Sequence, residues 1–322
     1  MGTIKSLAGR RYDPQQREID LPLRGAFFPA GFRLNLATNS REVLAAAEES
    51  WGTFERSSES QPLELRVVVQ PGDLAPMPTY RMQGHLFSIV SDGNNYAIGD
   101  ARGWFGSIWI TEKTAADHPW FRWLYLEALA YLLLAQRYVA PIHTACVARD
   151  GDGLLLCGTS GAGKSSLAFA CARTGWTYVA DDSVWLLADS TDRIAIGKPH
   201  QVRLRDDCPR LFPELAGYAT SARPNGKLTI EVPLADFPEI RTAARCRIGG
   251  MVFLNRGGRA RFGRIDPEDA MDRLLSELPT YGPEVDAMYE RTVRSLAGVD
   301  AWEIQYDSLE DGIAMVQELF RR

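Results

Sequence analysis

The residues with the clearest chemical potential form a glycine-rich loop at positions 158–165, which reads G-T-S-G-A-G-K-S. This order matches G-x-x-x-x-G-K-[ST], in which glycines let backbone N–H groups turn inward around a phosphate. A helix that begins directly after such a loop brings the positive end of its dipole to the same anion. The pattern therefore predicts a site for nucleotide phosphates, formed by Gly158, Thr159, Ser160, Gly161, Ala162, Gly163, Lys164, Ser165 and Ser166.

Two side chains of this loop have predicted roles beyond backbone binding. Lys164 can reach the β and γ phosphates, and the Ser165 hydroxyl can bind Mg²⁺. We expect Lys164 to be exposed in the loop, so its replacement should affect the fold little. The alternative is a glycine-rich turn before a helix, but an apolar strand at 154–157 and a helix from about 164 to 174 favour the phosphate site. Motors, GTPases, transport ATPases and kinases share the motif, so the loop alone does not define the reaction.

Asp181 and Asp182 follow a short apolar stretch at 178–180. Phosphoryl transfer uses a carboxylate that binds Mg²⁺ and often another that takes the proton of the attacking hydroxyl, and two acids at a strand end can supply both. The alternative is that one aspartate caps a turn and the other is solvated. His143 precedes the strand pair that carries the loop. From its position alone, a packed or hydrogen-bonded histidine is the alternative to a catalytic one.

The segment 143–187 resembles the catalytic domain of the HPr kinase/phosphorylase family, P-loop kinases related in fold to PEP carboxykinase. The similarity rests on the order of His143, the loop at 158–165, Arg173-Thr174-Gly175 and the V-A-D-D sequence at 179–182. Weaker similarity at 197–205, 226–232 and 249–254 extends to the broader HPr-kinase-like group. That group includes kinases encoded beside lasso-peptide and other peptide-modification genes.

The resemblance implies ATP and Mg²⁺ as cofactors and assigns roles to the polar residues. Asp181 would be the base, Asp182 would bind the metal with Ser165, and His143 would lie near the phosphates. Asp181, His143 and Lys164 would then be the catalytic residues. The roles within the aspartate pair stay open, because neighbouring acids can titrate as a unit. The bifunctional members carry a Gly-Leu-Gly signature led by a glutamate, whereas region 200–207 here reads H-Q-V-R-L-R-D-D. This departure argues against phosphorylase activity and against HPr itself as the substrate.

The sequence predicts an α/β fold with two domains. Residues 1–116 read as an α+β domain of unassigned role, with a helix at 40–51, a strand at 63–69 and a hairpin around 91–94. Residues 117–322 are expected to form the P-loop kinase domain of HPr-kinase/PEP-carboxykinase type, a mixed sheet with helices. Apolar residues cover most of the stretch 121–136, which predicts one buried helix. A capping box at 308–311 predicts a C-terminal helix to about residue 321.

Composition limits the partners. The 322-residue chain has a formal net charge of -5 and no dominant basic tract, which gives no electrostatic reason to expect nucleic acid or an anionic membrane. Its five cysteines show no metal-ligand spacing, which is typical of inert thiols in a reducing compartment. The start M-G-T-I-K-S lacks the apolar segment of a secretory signal. We therefore expect a soluble, cytoplasmic protein, and homo-oligomerisation stays open.

The leading function is an ATP-dependent kinase that phosphorylates a Ser or Thr hydroxyl of a small protein or peptide. The alternatives are a non-catalytic nucleotide-binding regulatory module and a kinase for a hydroxyl of a small metabolite. His143, Asp181 and Asp182 favour an enzyme over a regulatory module, and nothing in the sequence separates peptide from metabolite.

Three further cations are weaker candidates for phosphate binding. Arg203 and Arg205 alternate on a predicted strand and should share a face, for which a solvated face is the slightly preferred interpretation. Lys227, in a predicted loop, can reach a nucleotide or simply be an exposed turn residue.

Overall fold

The computed structural model describes residues 19–222 and 227–319. The chain is a mixed α/β protein with several sheets, as the sequence predicts. It divides into a first compact unit, Met1–Gly52 with Arg56–Ala130, and a second, Thr53–Glu55 with Tyr131–Arg322. The functional division between residues 116 and 117 stays a prediction. The N-terminal M-G-T-I-K-S segment and the predicted helix end at 321 lie outside the described residues. In the described ranges, no helix is both long and apolar enough to cross a membrane.

The first unit contains a seven-stranded sheet with the order β1-β2-β3-β7-β6-β5-β4. Its elements are β1 (Leu23–Phe27), β2 (Leu34–Thr38), α1 (Arg41–Trp51), β3 (Leu63–Gln70), β4 (Thr79–Gln83), β5 (Leu86–Val90), β6 (Tyr96–Asp100), β7 (Phe105–Thr111), α2 (Glu112–Ala116) and α3 (His118–Phe121). The predicted hairpin is formed by β5 and β6, and the Asp92 carboxylate accepts hydrogen bonds at 2.8 Å from the backbone N–H groups of Asn94 and Asn95.

The single helix expected at 121–136 is interrupted. After α3, a π-helical turn (Arg122–Leu126) precedes α4 (Glu127–Ala135), which contains residue 130, where the first unit ends. A π turn stacks residues five apart. That spacing suits Arg122 and Glu127, whose side chains form an ion pair at 3.4 Å. Apolar periodicity alone gave no sign of this polar contact.

The second unit contains a ten-stranded mixed sheet and a separate three-stranded sheet. Its strands are β8 (Val139–Ile142), β9 (Ala145–Arg149), β10 (Asp152–Cys157), β11 (Thr177–Ala180), β12 (Val184–Leu187), β13 (Ile194–Ile196), β14 (Gln201–Arg205), β15 (Thr220–Ala222), β16 (Leu228–Pro233), β17 (Arg241–Thr242), β18 (Arg245–Arg256), β19 (Arg261–Arg264) and β20 (Asp300–Tyr306). The small sheet has the order β14-β16-β15. The helices are α5 (Lys164–Arg173), α6 (Pro267–Leu275), α7 (Pro283–Arg294) and α8 (Leu309–Leu319).

Strand β10 shows why the large sheet lies between two hydrophobic layers. Its side chains alternate between the faces of the sheet. Leu154 and Leu156 pack in the core that includes α5 and the small sheet, whereas Leu155 and Cys157 pack in the core that includes α6 and α7. A continuous apolar run is therefore required here, because both faces of the strand are covered.

The directions of the strands bring several chain segments to one edge of the large sheet. Strand β9 pairs antiparallel with both β10 and β11, so β10 and β11 run the same way. Strand β18 is parallel to β10, and β20 is parallel to β18. The carboxyl ends of β10, β11, β18 and β20 therefore meet at one edge, which is where open α/β sheets bind their ligands.

Candidate active site

The glycine-rich loop lies at this edge, between β10 and α5. Gly163 immediately precedes α5 with φ +95°, a left-handed conformation that glycine adopts without strain. A Cβ on Gly163 would lie 2.7 Å from the Tyr306 hydroxyl oxygen. That hydroxyl donates a hydrogen bond to the carbonyl oxygen of Ala162 at 2.9 Å. The end of β20 thus fixes the loop backbone, and only glycine fits at position 163.

Lys164 is buried, with 6% of its surface exposed, so the expectation of an exposed loop lysine was wrong. Its Nζ donates hydrogen bonds to the carbonyl oxygens of Gly158 at 2.5 Å and Thr159 at 3.3 Å. Burial lowers the pKa of the Lys164 ammonium, and the charge of Glu277 opposes this shift. The side chain folds over the loop because Lys164 is the first residue of α5, directly after the turn.

Ser165, the next residue of α5, connects the loop to the aspartate pair. Its hydroxyl lies 3.4 Å from the carbonyl oxygen of Asp181, which follows β11 directly. Asp182 is the next residue of the chain. The structure therefore places Lys164, Ser165 and the two aspartates at the same edge of the large sheet.

Asp181 is a buried carboxylate with a raised pKa. Burial, and then the charge of Asp182, raise the pKa of Asp181 to about 6, against a hydrogen bond from the backbone N–H of Arg203. That N–H donates to Asp181 Oδ2 at 2.9 Å. A carboxyl group with a pKa near 6 is largely ionised at neutral pH and is a better base than an ordinary aspartate.

Asp182 and His143 form the outer part of the site. The Asp182 side chain is 36% exposed, and its Oδ1 lies 3.8 Å from Nδ1 of His143. The same nitrogen lies 2.9 Å from the carbonyl oxygen of Asp182. His143 reaches this edge because it connects β8 to the start of β9, which is antiparallel to β10 and β11. Its contacts are thus to the aspartate segment.

The donor atoms at this edge suit Mg²⁺. The Ser165 hydroxyl and the Asp182 carboxylate are hard oxygen ligands, and Mg²⁺ in phosphate sites usually has one or two carboxylates, phosphate oxygens and waters as ligands. Among residues 19–222 and 227–319, no group of three or more His, Cys, Asp or Glu side chains is arranged to hold a metal ion. The Ser165 and Asp182 oxygens would leave the other ligand positions of Mg²⁺ to phosphate oxygens and waters.

A small cavity of about 60 Å³ opens beside the two aspartates. Pockets for small ligands usually measure roughly 300–1,000 Å³, so this cavity has room for a small group and not for a nucleotide. Lys198 lies on its wall, with Nζ 4.7 Å from the ring centre of Tyr131 and 5.8 Å from that of Trp185. The cavity is lined by Ala180, Asp181, Asp182, Ser183, Trp185, Lys198, Gln201 and Arg203.

Three cations around the loop had weak sequence signals or none. An Arg205 guanidinium nitrogen lies 3.5 Å from where a Cβ on Gly161 would be, and Lys227 Nζ donates to Ser160 Oγ at 3.2 Å. Arg256, the last residue of β18, lies over the Tyr306 ring at 5.3 Å. Strand alternation made Arg205 a weak candidate, with a solvated face slightly preferred, and no local motif marks Arg256.

Arg203 differs from its strand neighbour Arg205. The preferred interpretation of a solvated face was wrong for Arg203, because its side chain is only 15% exposed. Its Nε donates a hydrogen bond to Glu231 Oε1 at 2.5 Å. Glu231 lies directly opposite Arg203 in the pairing of β14 with β16. The side chain of Arg203 is thus held by the small sheet, while its backbone N–H binds Asp181.

Comparisons with known proteins leave the family of the chain open. No family model and no curated protein matches it. Among solved structures, the chain is similar to the Hpr(Ser) kinase/phosphatase from Coxiella burnetii, with 12% sequence identity and a TM-score of 0.29. The match covers 56% of this chain and 97% of the other. A likeness of this size supports no statement about function, so the chemistry of the site rests on its own residues.

Proposed function

We propose that this chain is an ATP-dependent kinase of the HPr-kinase-like type that phosphorylates a Ser or Thr hydroxyl of a small protein or peptide. The supporting observation is the position of Asp181, a buried carboxylate with a pKa of about 6 whose backbone carbonyl contacts Ser165 of the phosphate-loop helix. Transfer to a hydroxyl requires a positioned base, whereas nucleotide binding alone requires only the phosphate loop and a metal-binding carboxylate.

Each residue of the site has a defined task in this reaction. The loop N–H groups and the Lys164 ammonium bind the phosphates of ATP, and Asp181 accepts the proton of the acceptor hydroxyl. The hydroxyl oxygen forms a bond to the γ-phosphorus while the bond to the ADP oxygen breaks. Ser165 and Asp182 would hold Mg²⁺, which neutralises phosphate charge when bound. His143 orients the Asp182 segment through its contact with the backbone.

The first test replaces the phosphate-binding cation. Because Lys164 is buried, Lys164→Met is a better variant than Lys164→Ala, since it keeps most of the side-chain volume and removes only the charge. We expect a folded protein, checked by circular dichroism, that transfers no radiolabelled phosphate from ATP. Undiminished transfer by the folded variant would contradict the proposal.

The second test separates an enzyme from a regulatory module. Asp181→Asn should lower phosphate transfer by about a hundredfold or more, the range for loss of a positioned base, with little change in ATP binding. Asp182→Asn should weaken Mg²⁺-dependent ATP binding as well as transfer. The measurements are calorimetric titration with a Mg-ATP analogue and a transfer assay. Wild-type protein that binds ATP but transfers to no peptide, protein or small hydroxyl compound would favour the regulatory module.

A further inference from the structure

Arg256 lies at the phosphate loop in space but belongs to no sequence motif of the loop. Two sets of distances define its position. Its Nη1 and Cδ lie 3.6 and 3.7 Å from where a Cβ on Gly163 would be. Its guanidinium lies 5.3 Å from the ring centre of Tyr306, the residue whose hydroxyl binds the Ala162 carbonyl oxygen. The same tyrosine therefore fixes the loop and supports the guanidinium beside it.

Among the described residues, the positive charge of Arg256 has no carboxylate partner. Within residues 19–222 and 227–319, no carboxylate forms an ion pair with Arg256 or with Arg205 at Gly161. Both side chains are exposed at the edge that carries the loop. Other arginines of this unit have such a partner, as Arg203 has Glu231. An arginine without a carboxylate beside a phosphate loop suits an anionic ligand, because its planar fork matches phosphate oxygens.

We propose that Arg256, supported by Tyr306, binds the phosphate chain of the donor, and that Arg205 does so from its own place at Gly161. This inference rests on the proposed function, since it adds binding residues to the same site. The ligand chemistry is an oligophosphate, which a nucleotide or an inorganic polyphosphate can supply. Three probes distinguish these sources: ATP, ADP and inorganic tripolyphosphate.

The experiment measures the dissociation constants of the three probes, by calorimetry in Mg²⁺ buffer, for wild type, Arg256→Met and Arg264→Met. Arg264→Met is the control, because the Arg264 guanidinium also lies over an aromatic ring, 5.2 Å from the ring centre of Trp302, but forms an ion pair with Asp300. Trp302 is about 13 Å from Tyr306 along β20. We expect Arg256→Met to weaken ATP and tripolyphosphate about tenfold or more, as for loss of a charge-assisted hydrogen bond. The control should stay within about twofold of wild type.

Each other outcome has a distinct meaning. Wild-type affinity for ATP in folded Arg256→Met would overturn the inference and leave the proposed function standing. Weaker ATP binding with unchanged tripolyphosphate binding would also overturn it, because the contact would then be to the nucleoside. A wild-type protein that binds none of the three probes would overturn the proposed function together with this inference.

Two further variants refine the roles of the arginines. Arg256→Lys should recover part of the affinity, because it restores the charge without the planar fork. Recovery of none of it would contradict a contact based on charge. Arg205→Met should weaken ATP and tripolyphosphate in the same direction as Arg256→Met, and unchanged affinity would remove Arg205 from the proposed site.

Discussion

At the scale of single residues, the burial of Asp181 links function to stability. Its pKa of about 6 in the folded protein exceeds the value near 3.8 of an ordinary aspartate. The folded state therefore binds more protons than the unfolded state between these pH values, and the free energy of unfolding falls as pH rises through this window. The ionised carboxylate therefore destabilises the ligand-free protein at neutral pH.

Asp181→Asn should remove this pH dependence. In EDTA-containing buffer, the unfolding free energy of the variant relative to wild type should rise between pH 4 and pH 7 by up to about 3 kcal/mol, from a shift of roughly two pKa units. Urea denaturation at several pH values measures the difference. Asp206→Asn, at an exposed aspartate after β14, is the control for the loss of a carboxylate. A difference that stays constant with pH would show that Asp181 does not titrate in this way.

At the scale of elements, the loop depends on the two strands beside it as much as on its own glycines. Strand β10 ends at Cys157, directly before the loop. Strand β20 holds the loop through the hydrogen bond from the Tyr306 hydroxyl to the Ala162 carbonyl oxygen. Two glycines at the ends of α5 allow this dependence to be measured. Gly163 and Gly175 have φ of +95° and +96°, but a Cβ would meet Tyr306 only at Gly163 and nothing within 4 Å at Gly175.

Gly163→Ala should therefore cost more stability than Gly175→Ala. Both variants place alanine in a left-handed conformation, which costs roughly 1–2 kcal/mol. Only Gly163→Ala also displaces the Tyr306 hydroxyl and the loop, so we expect at least about tenfold weaker ATP binding in that variant alone. Denaturation and calorimetric titration measure the two effects. Equal loss of ATP binding in both variants would mean that strain, and not the contact with β20, controls the loop.

At the scale of the whole molecule, net charge and local charge have opposite signs. The chain carries a formal net charge of -5, which would repel ATP. The loop edge nevertheless brings together four cations, which outnumber the carboxylates of Asp181, Asp182 and Glu277 near them. The cations are Lys164, Arg205, Lys227 and Arg256. At physiological ionic strength the Debye length is about 8 Å, so a ligand at the loop senses these near cations more than the distant acids.

The salt dependence of ATP binding should reveal which charge dominates. We expect the affinity for ATP to fall between about 50 and 500 mM NaCl, because salt screens the attraction by the local cations. If net charge controlled the encounter, salt would screen a repulsion and the affinity would rise. Calorimetric titration at fixed free Mg²⁺ measures this, and Arg264→Met controls for a change in net charge away from the loop.

The sequence by itself determined the glycine-rich loop, the strand before it, the helix after it and the aspartates at the end of β11. These features depend on local spacing, which a linear pattern records directly. It did not predict β20, because burial along Asp300–Tyr306 does not alternate regularly and the strand gives a weak period-two signal. The π-helical turn after α3 was also missed, because apolar periodicity does not record the polar Arg122–Glu127 pair.

Only the tertiary structure decided the burial of Lys164, the raised pKa of Asp181 and the place of Arg256 and Tyr306 at the loop. Each of these depends on atoms that are distant in sequence and close in space. Desolvation and charge–charge interactions act through space, so they follow from strand order and direction and not from neighbours along the chain. The parallel pairing of β10, β18 and β20 is what gathers these groups at one edge of the sheet.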